Sequence, residues 1–127
     1  MVSIVLVSHS RKITDGLKEM IEEMVDSTGD VKIFSAGGTE DGRIGTDPLA
    51  IYNIIKQSSD HRNILIFADI GSAILSAETA IDLIEDEPLK NKVTLVDAPL
   101  VEGAFVASIQ AMVDDDIEGI LAELQNI

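Results

Sequence analysis

Val2-Ser3-Ile4-Val5-Leu6-Val7-Ser8-His9-Ser10 begins as an apolar, largely β-branched run and closes on three polar residues. Such a run fits a strand buried on both faces, as the inner strands of a parallel sheet are. A helical pattern follows at once: Ile13, Leu17, Met20, Ile21 and Met24 fall on one face of a helix over about 10–27. The turn Ser27-Thr28-Gly29-Asp30 ends it. The cycle then repeats. Residues 31–35 read as a strand, 36–46 as a glycine-rich loop, and a helix starts at Asp47-Pro48, where Asp47 caps and Pro48 suits the first helical position. A third unit has a strand over 63–68 and a helix over about 72–85 with Ala73, Ala77, Ala80, Ile81 and Ile84 inward. A fourth has a strand over 92–96 and a helix over about 100–113. Asp114 to Asp116 then cap a last helix carrying Ile117, Ile120, Leu121 and Leu124.

Four strand-helix units in series predict an α/β fold: an open, mostly parallel, doubly wound sheet of about four strands with helices on both faces. The 127 residues make a single domain, 1–127, and 46% hydrophobic content supplies its core. With no cysteine there is no disulfide, thiolate metal site or thiol nucleophile. The start MVSIVLVSHSRK lacks a basic leader and cleavage site, and no apolar run approaches the roughly 20 residues of a membrane span, so the expectation is a soluble cytoplasmic protein. A net charge of -14 disfavours nucleic acid and anionic membranes as partners. Residues 78–127 carry 12 acids and 2 bases, so anion-handling chemistry is expected in the N-terminal part. The acidic clusters Glu85-Asp86-Glu87 and Asp114-Asp115-Asp116 lack calcium-loop spacing and read as solvated turns and a helix cap, so no metal site is expected.

In this fold class the strand-to-helix loops share the carboxyl edge of the sheet, where ligands bind. That edge receives His9, Asp69 and the segment Gly37 to Thr46, whereas His61 falls at the opposite edge in a polar, solvated turn. His9, between a buried strand and a helix start, is a candidate for attack on a phosphorus centre, with a helix cap or a structural hydrogen bond as the alternative. Asp69 has two readings, orienting one ring N–H of His9 or capping the next helix. Gly71 and Ser72 open that helix and offer backbone N–H groups and a hydroxyl to phosphate oxygens. The glycine-rich segment is neither a P-loop nor a dinucleotide fingerprint. Its glycines, Gly37 and Gly38 among them, allow close backbone approach, and Arg43 suits phosphate through two parallel hydrogen bonds. A hydrolase built on Ser8, His9 and Asp69 is conceivable, but no nucleophile elbow is present.

Four segments in order, Val5 to Ser10, Ala36-Gly37-Gly38 with Asp41 to Asp47, Asp69 to Ala73 and Ala98 to Ala104, closely resemble the phosphoryl-donor subunits of phosphotransferase-system dihydroxyacetone kinases, the DhaM family, which belongs with mannose-type enzyme IIA domains. The resemblance spans the chain. It implies that His9 is phosphorylated by the phosphocarrier HPr and delivers the group to ADP held on DhaL, so that ATP re-forms in place and phosphorylates dihydroxyacetone on DhaK. It further implies that Asp69 holds the imidazole, that Gly37, Gly38, Arg43, Gly71 and Ser72 contact the phosphoryl group or a partner, that no cofactor is needed, and that the protein is a homodimer. Longer family members append carrier domains, so HPr is expected as a separate protein. Ile70 stands in place of a leucine, and Ser76 in place of an amide, which leaves position 76 without an inherited role. Two other functions remain: a mannose-type domain donating to a IIB sugar-transport protein, and a non-catalytic sensor binding a small anion. A receiver domain fits less well, because Ser8 and His9 replace its acidic pair.

Overall fold

A computed structural model describes residues 1–25 and 29–127. Its four strands are β1 (Val2–Val7), β2 (Val31–Ser35), β3 (Asn63–Ala68) and β4 (Val93–Leu95), paired in parallel in the order β2-β1-β3-β4. The helices are α1 (Arg11–Met24), α2 (Pro48–Gln57), α3 (Ser72–Asp82), α4 (Glu87–Lys90), α5 (Leu100–Val113) and α6 (Ile117–Leu124). Every residue of β1 and β3 is buried. This follows from their place inside the sheet, where alternate side chains meet helices on opposite faces. Ile4, Leu6, Leu65 and Phe67 pack with α1, α5 and α6, while Val5, Val7, Ile64 and Ile66 pack with α2, α3 and α4. Full burial of each such aliphatic side chain stabilises the fold by about 1.5–3 kcal/mol.

The strand order has a consequence for the site. From β1 the chain steps outward to β2, then crosses back past β1 to β3 and on to β4. Parallel crossovers keep one hand, so reversing direction moves the connecting helix to the other face. The loops after β1 and β3 therefore diverge and leave a crevice between two neighbouring strands, the switch point where open α/β sheets bind ligands. His9 follows β1 and Asp69 follows β3.

Three expectations need correction. On α1 the buried residues are Thr14, Leu17 and Ile21, with Val25 just beyond, whereas Ile13, Met20 and Met24 are exposed. The methionines lie beside α5 instead, lining a shallow apolar groove with Val101 and Phe105. The first helix also ends at Met24, not at 27, and the expected turn at Ser27 and Thr28 lies outside the described residues. The acidic stretch at 85–87 is more than a solvated turn: Asp86 accepts a hydrogen bond from the Leu89 N–H and caps the one-turn helix α4.

The third correction concerns His61. Its side chain is only 12% exposed, and its Nδ1 shares a hydrogen bond with the hydroxyl of fully buried Ser3. The Arg62 N–H bonds to the Met1 carbonyl, pinning this turn to the start of β1. Burial pushes the His61 pKa below its ordinary 6.5; Asp60 opposes this, and the N-terminus, Lys32 and Lys92 reinforce it. The unfolded chain then takes up the proton first as pH falls, so His61 costs stability between 6.5 and its lower folded value. Urea midpoints should drop more for the wild type than for His61→Gln between about pH 7.5 and pH 5.5. Equal drops would remove His61 from the acid response.

Candidate functional site

The parallel register brings the site together. Val7 pairs with Ala68, and the Asp69 N–H continues the ladder to the Val7 carbonyl at 3.1 Å, which sets Ser8 beside Asp69 with His9 one residue on. All four contacts on the Asp69 carboxylate come from donors. Oδ2 accepts from the Ser8 hydroxyl at 2.7 Å and the His9 N–H at 3.4 Å. Oδ1 accepts from the Ile70 N–H at 2.7 Å and faces Nδ1 of His9 at 3.3 Å. Burial works to raise the Asp69 pKa, but the Ser8 hydroxyl, the N–H groups of Ile70 and His9 and the His9 ring outweigh it and hold the carboxyl below its usual range. Asp69 is therefore an ionised acceptor at neutral pH, and Nδ1 is the ring nitrogen that carries the proton toward it.

The other ring nitrogen, Nε2, lies 2.7 Å from the Ser72 hydroxyl, which donates to it. Its lone pair thus points toward the start of α3. The His9 side chain is 28% exposed, so that nitrogen is reachable once the Ser72 hydroxyl turns aside. Neither α1 nor α3 has a side-chain cap, and His9 stands between the two helix starts, where the aligned peptide dipoles favour an anion. Gly71, the residue before α3, has φ 49° and ψ -115°, a conformation open in practice only to glycine. A side chain there would strain the turn that aims Ser72 at the ring.

The glycine-rich loop closes the site from the side of β2. A Cβ on Gly37 would lie 2.4 Å from Thr14 Oγ1 and 2.6 Å from the Ser10 carbonyl oxygen, so only glycine lets the loop pass the start of α1. The Gly37 N–H bonds to Thr14 Oγ1 at 3.0 Å and the Gly38 N–H to the Ser8 carbonyl at 3.0 Å. Both N–H groups are committed inside the protein, and these glycines supply room rather than a free phosphate donor. Further along, the Gly45 N–H bonds to the His9 carbonyl at 2.8 Å, and Thr46 meets Ser76 at 2.6 Å. Ser76 is thereby a brace between the loop and α3. Arg43 shares the edge but not the cluster: its exposed guanidinium pairs with Asp41 at 3.3 Å. Arg11 donates to the carbonyls of Gly37 and Thr39 at 3.1 and 3.2 Å.

Asp69 also borders an open cleft of about 540 Å³ lined by Ile74, Asp97, Ala98 and Pro99. The Ala98 to Ala104 stretch acts here through packing. A Cβ on Gly103 would come within 3.1 Å of the Phe67 ring, so this glycine lets α5 lie directly on β3. Among the described residues, no group of three or more histidine, cysteine or acidic side chains is placed to hold a metal ion. No described helix is long and apolar enough to cross a membrane.

The arrangement is a histidine with one nitrogen held by a carboxylate and the other presented at an anion-favouring edge. It suits nucleophilic group transfer more than hydrolysis by Ser8, whose fully buried hydroxyl gives its proton to Asp69 and not to His9. Comparisons with known proteins agree in kind. The family model EIIA-man, described as the PTS system fructose IIA component, matches residues 3–121. A phosphoryl donor subunit DhaM of PEP-dependent dihydroxyacetone kinase 2 from Listeria innocua is 58% identical over 127 residues, covering 100% of this chain and 99% of that protein. The DhaM subunit of a PTS-dependent dihydroxyacetone kinase from Lactococcus lactis is 32% identical, with 98% and 94% covered. The Escherichia coli DhaM is 39% identical, but this chain spans only 26% of it. Among solved structures, the crystal structure of EF1359, a protein of unknown function, superposes with a TM-score of 0.91 at 53% identity, covering 98% of this chain and 93% of that one.

Proposed function

The chain belongs to the EIIA-man family, in the branch of dihydroxyacetone kinase phosphoryl donor subunits, and from that premise we propose that it carries a phosphoryl group on His9 between phospho-HPr and ADP held by DhaL. The observation that carries this reading is the His9 ring held between Asp69 at Nδ1 and Ser72 at Nε2. The Nε2 lone pair attacks phosphorus of the donor phosphohistidine. An N–P bond forms on His9 as the donor N–P bond breaks, and the electron pair returns to the donor imidazole. His9 keeps its Nδ1 proton and becomes a phosphorylated imidazolium, whose positive charge faces the Asp69 carboxylate. In the second half an oxygen of the ADP β-phosphate attacks the same phosphorus, the N–P bond breaks back onto Nε2, and ATP forms on DhaL. ATP then phosphorylates dihydroxyacetone on DhaK. Little covalent rearrangement falls to the protein, so positioning and electrostatics carry the rate. Gly71, Ser72 and the helix starts beside them contact the transferred group, Arg43 meets a partner, and the setting is cytoplasmic, with a homodimer as the assembled form.

The match to a family described by a fructose IIA component supports a second acceptor, a IIB sugar-transport protein. One assay separates the readings. Protein incubated with phosphoenolpyruvate, enzyme I and HPr, then mixed with ADP-loaded DhaL, is expected to yield ATP. Transfer to a IIB protein with none to ADP would select the transport reading, and binding of inorganic phosphate without covalent label would select an anion sensor.

A further inference from the structure

Ser8 stands one residue before His9, fully buried, at the point where three segments of the site meet. Its carbonyl accepts the Gly38 N–H at 3.0 Å, which ties down the glycine-rich loop. Its hydroxyl oxygen accepts the Ser10 N–H at 3.1 Å, at the start of α1. That contact occupies a lone pair, and the single hydroxyl proton goes to Asp69 Oδ2 at 2.7 Å. The direction of the chain is thus fixed: the Ser10 N–H donates to Ser8, Ser8 donates to one oxygen of Asp69, and the other oxygen receives Nδ1–H of His9. Each bond polarises the next.

We propose that Ser8 is a positioning residue for phosphoryl transfer, setting the orientation and ionised state of Asp69 and through it the His9 tautomer that leaves Nε2 bare. The Ser8 contact at 2.7 Å is shorter than the 3.3 Å contact between Asp69 and the His9 ring, so the carboxylate is held more firmly from behind than from in front. Without it, Oδ2 keeps only the long contact from the His9 N–H at 3.4 Å, the carboxylate pivots about the Ile70 N–H bond at 2.7 Å on Oδ1, and Oδ1 loses its alignment with Nδ1. The role is distinct from that of a nucleophile, because the Ser8 hydroxyl touches neither the reacting nitrogen nor solvent.

This inference rests on the transfer reading, but its decisive measurements do not. In the unphosphorylated protein, imidazole 15N shifts report the tautomer of each ring, and His61 at the opposite edge serves as an internal control for intact folding. Ser8→Ala is expected to shift His9 from the Nδ1–H form toward a mixture and to raise the Asp69 pKa, with His61 unmoved. Ser8→Cys, close in volume and a weaker donor, should fall between, and it decides the matter should the alanine variant not fold. In the transfer assay Ser8→Ala should lower the rate of acceptance from phospho-HPr by about tenfold, the worth of a hydrogen bond to a charged group. In an Asp69→Asn background the same change should cost almost nothing more, because the group through which it acts is already lost. An unchanged His9 tautomer in a folded variant would overturn the proposal. So would an undiminished cost of Ser8→Ala in the Asp69→Asn background. Absence of transfer in the wild type would instead count against the transfer reading, and the tautomer measurement would still decide the role of Ser8.

Discussion

His9→Ala is expected to abolish acceptance of a phosphoryl group, leaving no acid-labile phosphate on a protein incubated with phosphoenolpyruvate, enzyme I and HPr. The loss should be complete rather than partial. The sequence holds two histidines and no cysteine, and the second histidine lies at the opposite edge of the sheet, 12% exposed and bonded to Ser3. No other imidazole or thiol is available at the carboxyl edge to take over the attack. The fold should survive the change, because Asp69 keeps its contacts to the Ser8 hydroxyl and the Ile70 N–H at 2.7 Å each, so no carboxylate oxygen is left bare. Intact-mass measurement before and after mild acid checks the adduct, and a thermal melt checks the fold. Phosphate retained by the alanine variant would place the carrier residue elsewhere.

The parts of this molecule legible in the sequence are those with a periodic signal. β1 and β3 agree with their predicted spans residue for residue, because an inner strand is apolar on both faces and a polar residue, Ser8 or Asp69, follows each run. β4 pairs over 93–95 where 92–96 was expected, the ladder shortening at the sheet edge. On α1 the pattern is apolar over more than one face. Periodicity cannot distinguish Leu17, which meets the sheet, from Met20 and Met24, which look toward α5. Helix α4, at four residues, is too short for any period to register. The meeting of His9 with Asp69 followed from topology, since both close strands at one edge. Ser8 was legible only as a conceivable hydrolase nucleophile, not as a donor to Asp69, and Thr14 and the bond between Thr46 and Ser76 were not legible as parts of the site. Short hydroxyl side chains carry no periodic mark, and their partners are chosen by register and loop path. His61 failed for the same reason. Its neighbours Asp60 and Arg62 suggest solvent, whereas the pairing of β1 with β3 tucks its ring against Ser3.

Asp69→Asn is expected to slow phosphoryl acceptance by roughly a hundredfold, about 2.7 kcal/mol of barrier, while His9 remains the labelled residue. Two effects add. The first is charge. Transfer turns the His9 ring into a cation whose Nδ1 lies 3.3 Å from Oδ1 of Asp69, and opposite charges near a protein surface attract by about 4 kcal/mol at 4 Å before desolvation and salt reduce it. A neutral amide gives up most of that attraction. The second effect is donor matching. Every group facing the Asp69 carboxylate is a donor, two on each oxygen, so in either orientation the NH2 of asparagine confronts the N–H of His9 or of Ile70. The Ser8 hydroxyl can rotate to accept, but a backbone N–H cannot. The amide is therefore pushed off the position that holds Nδ1–H, and the ring samples the tautomer in which Nε2 carries the proton and cannot attack. Acid stability gives a second check on the lost charge. In the wild type the depressed Asp69 pKa means that its stabilising contacts are complete above the ordinary 3.8 and are lost only as pH falls through the lower folded value. The asparagine variant has no such acid loss, so its urea midpoint should be lower at neutral pH and fall less steeply below about pH 4. Transfer should remain slow across the same range, because no change of pH restores a negative charge at position 69. A variant that transfers at the wild-type rate would mean that the ring is held by Ser72 alone, and that Asp69 serves the start of α3 and not the chemistry.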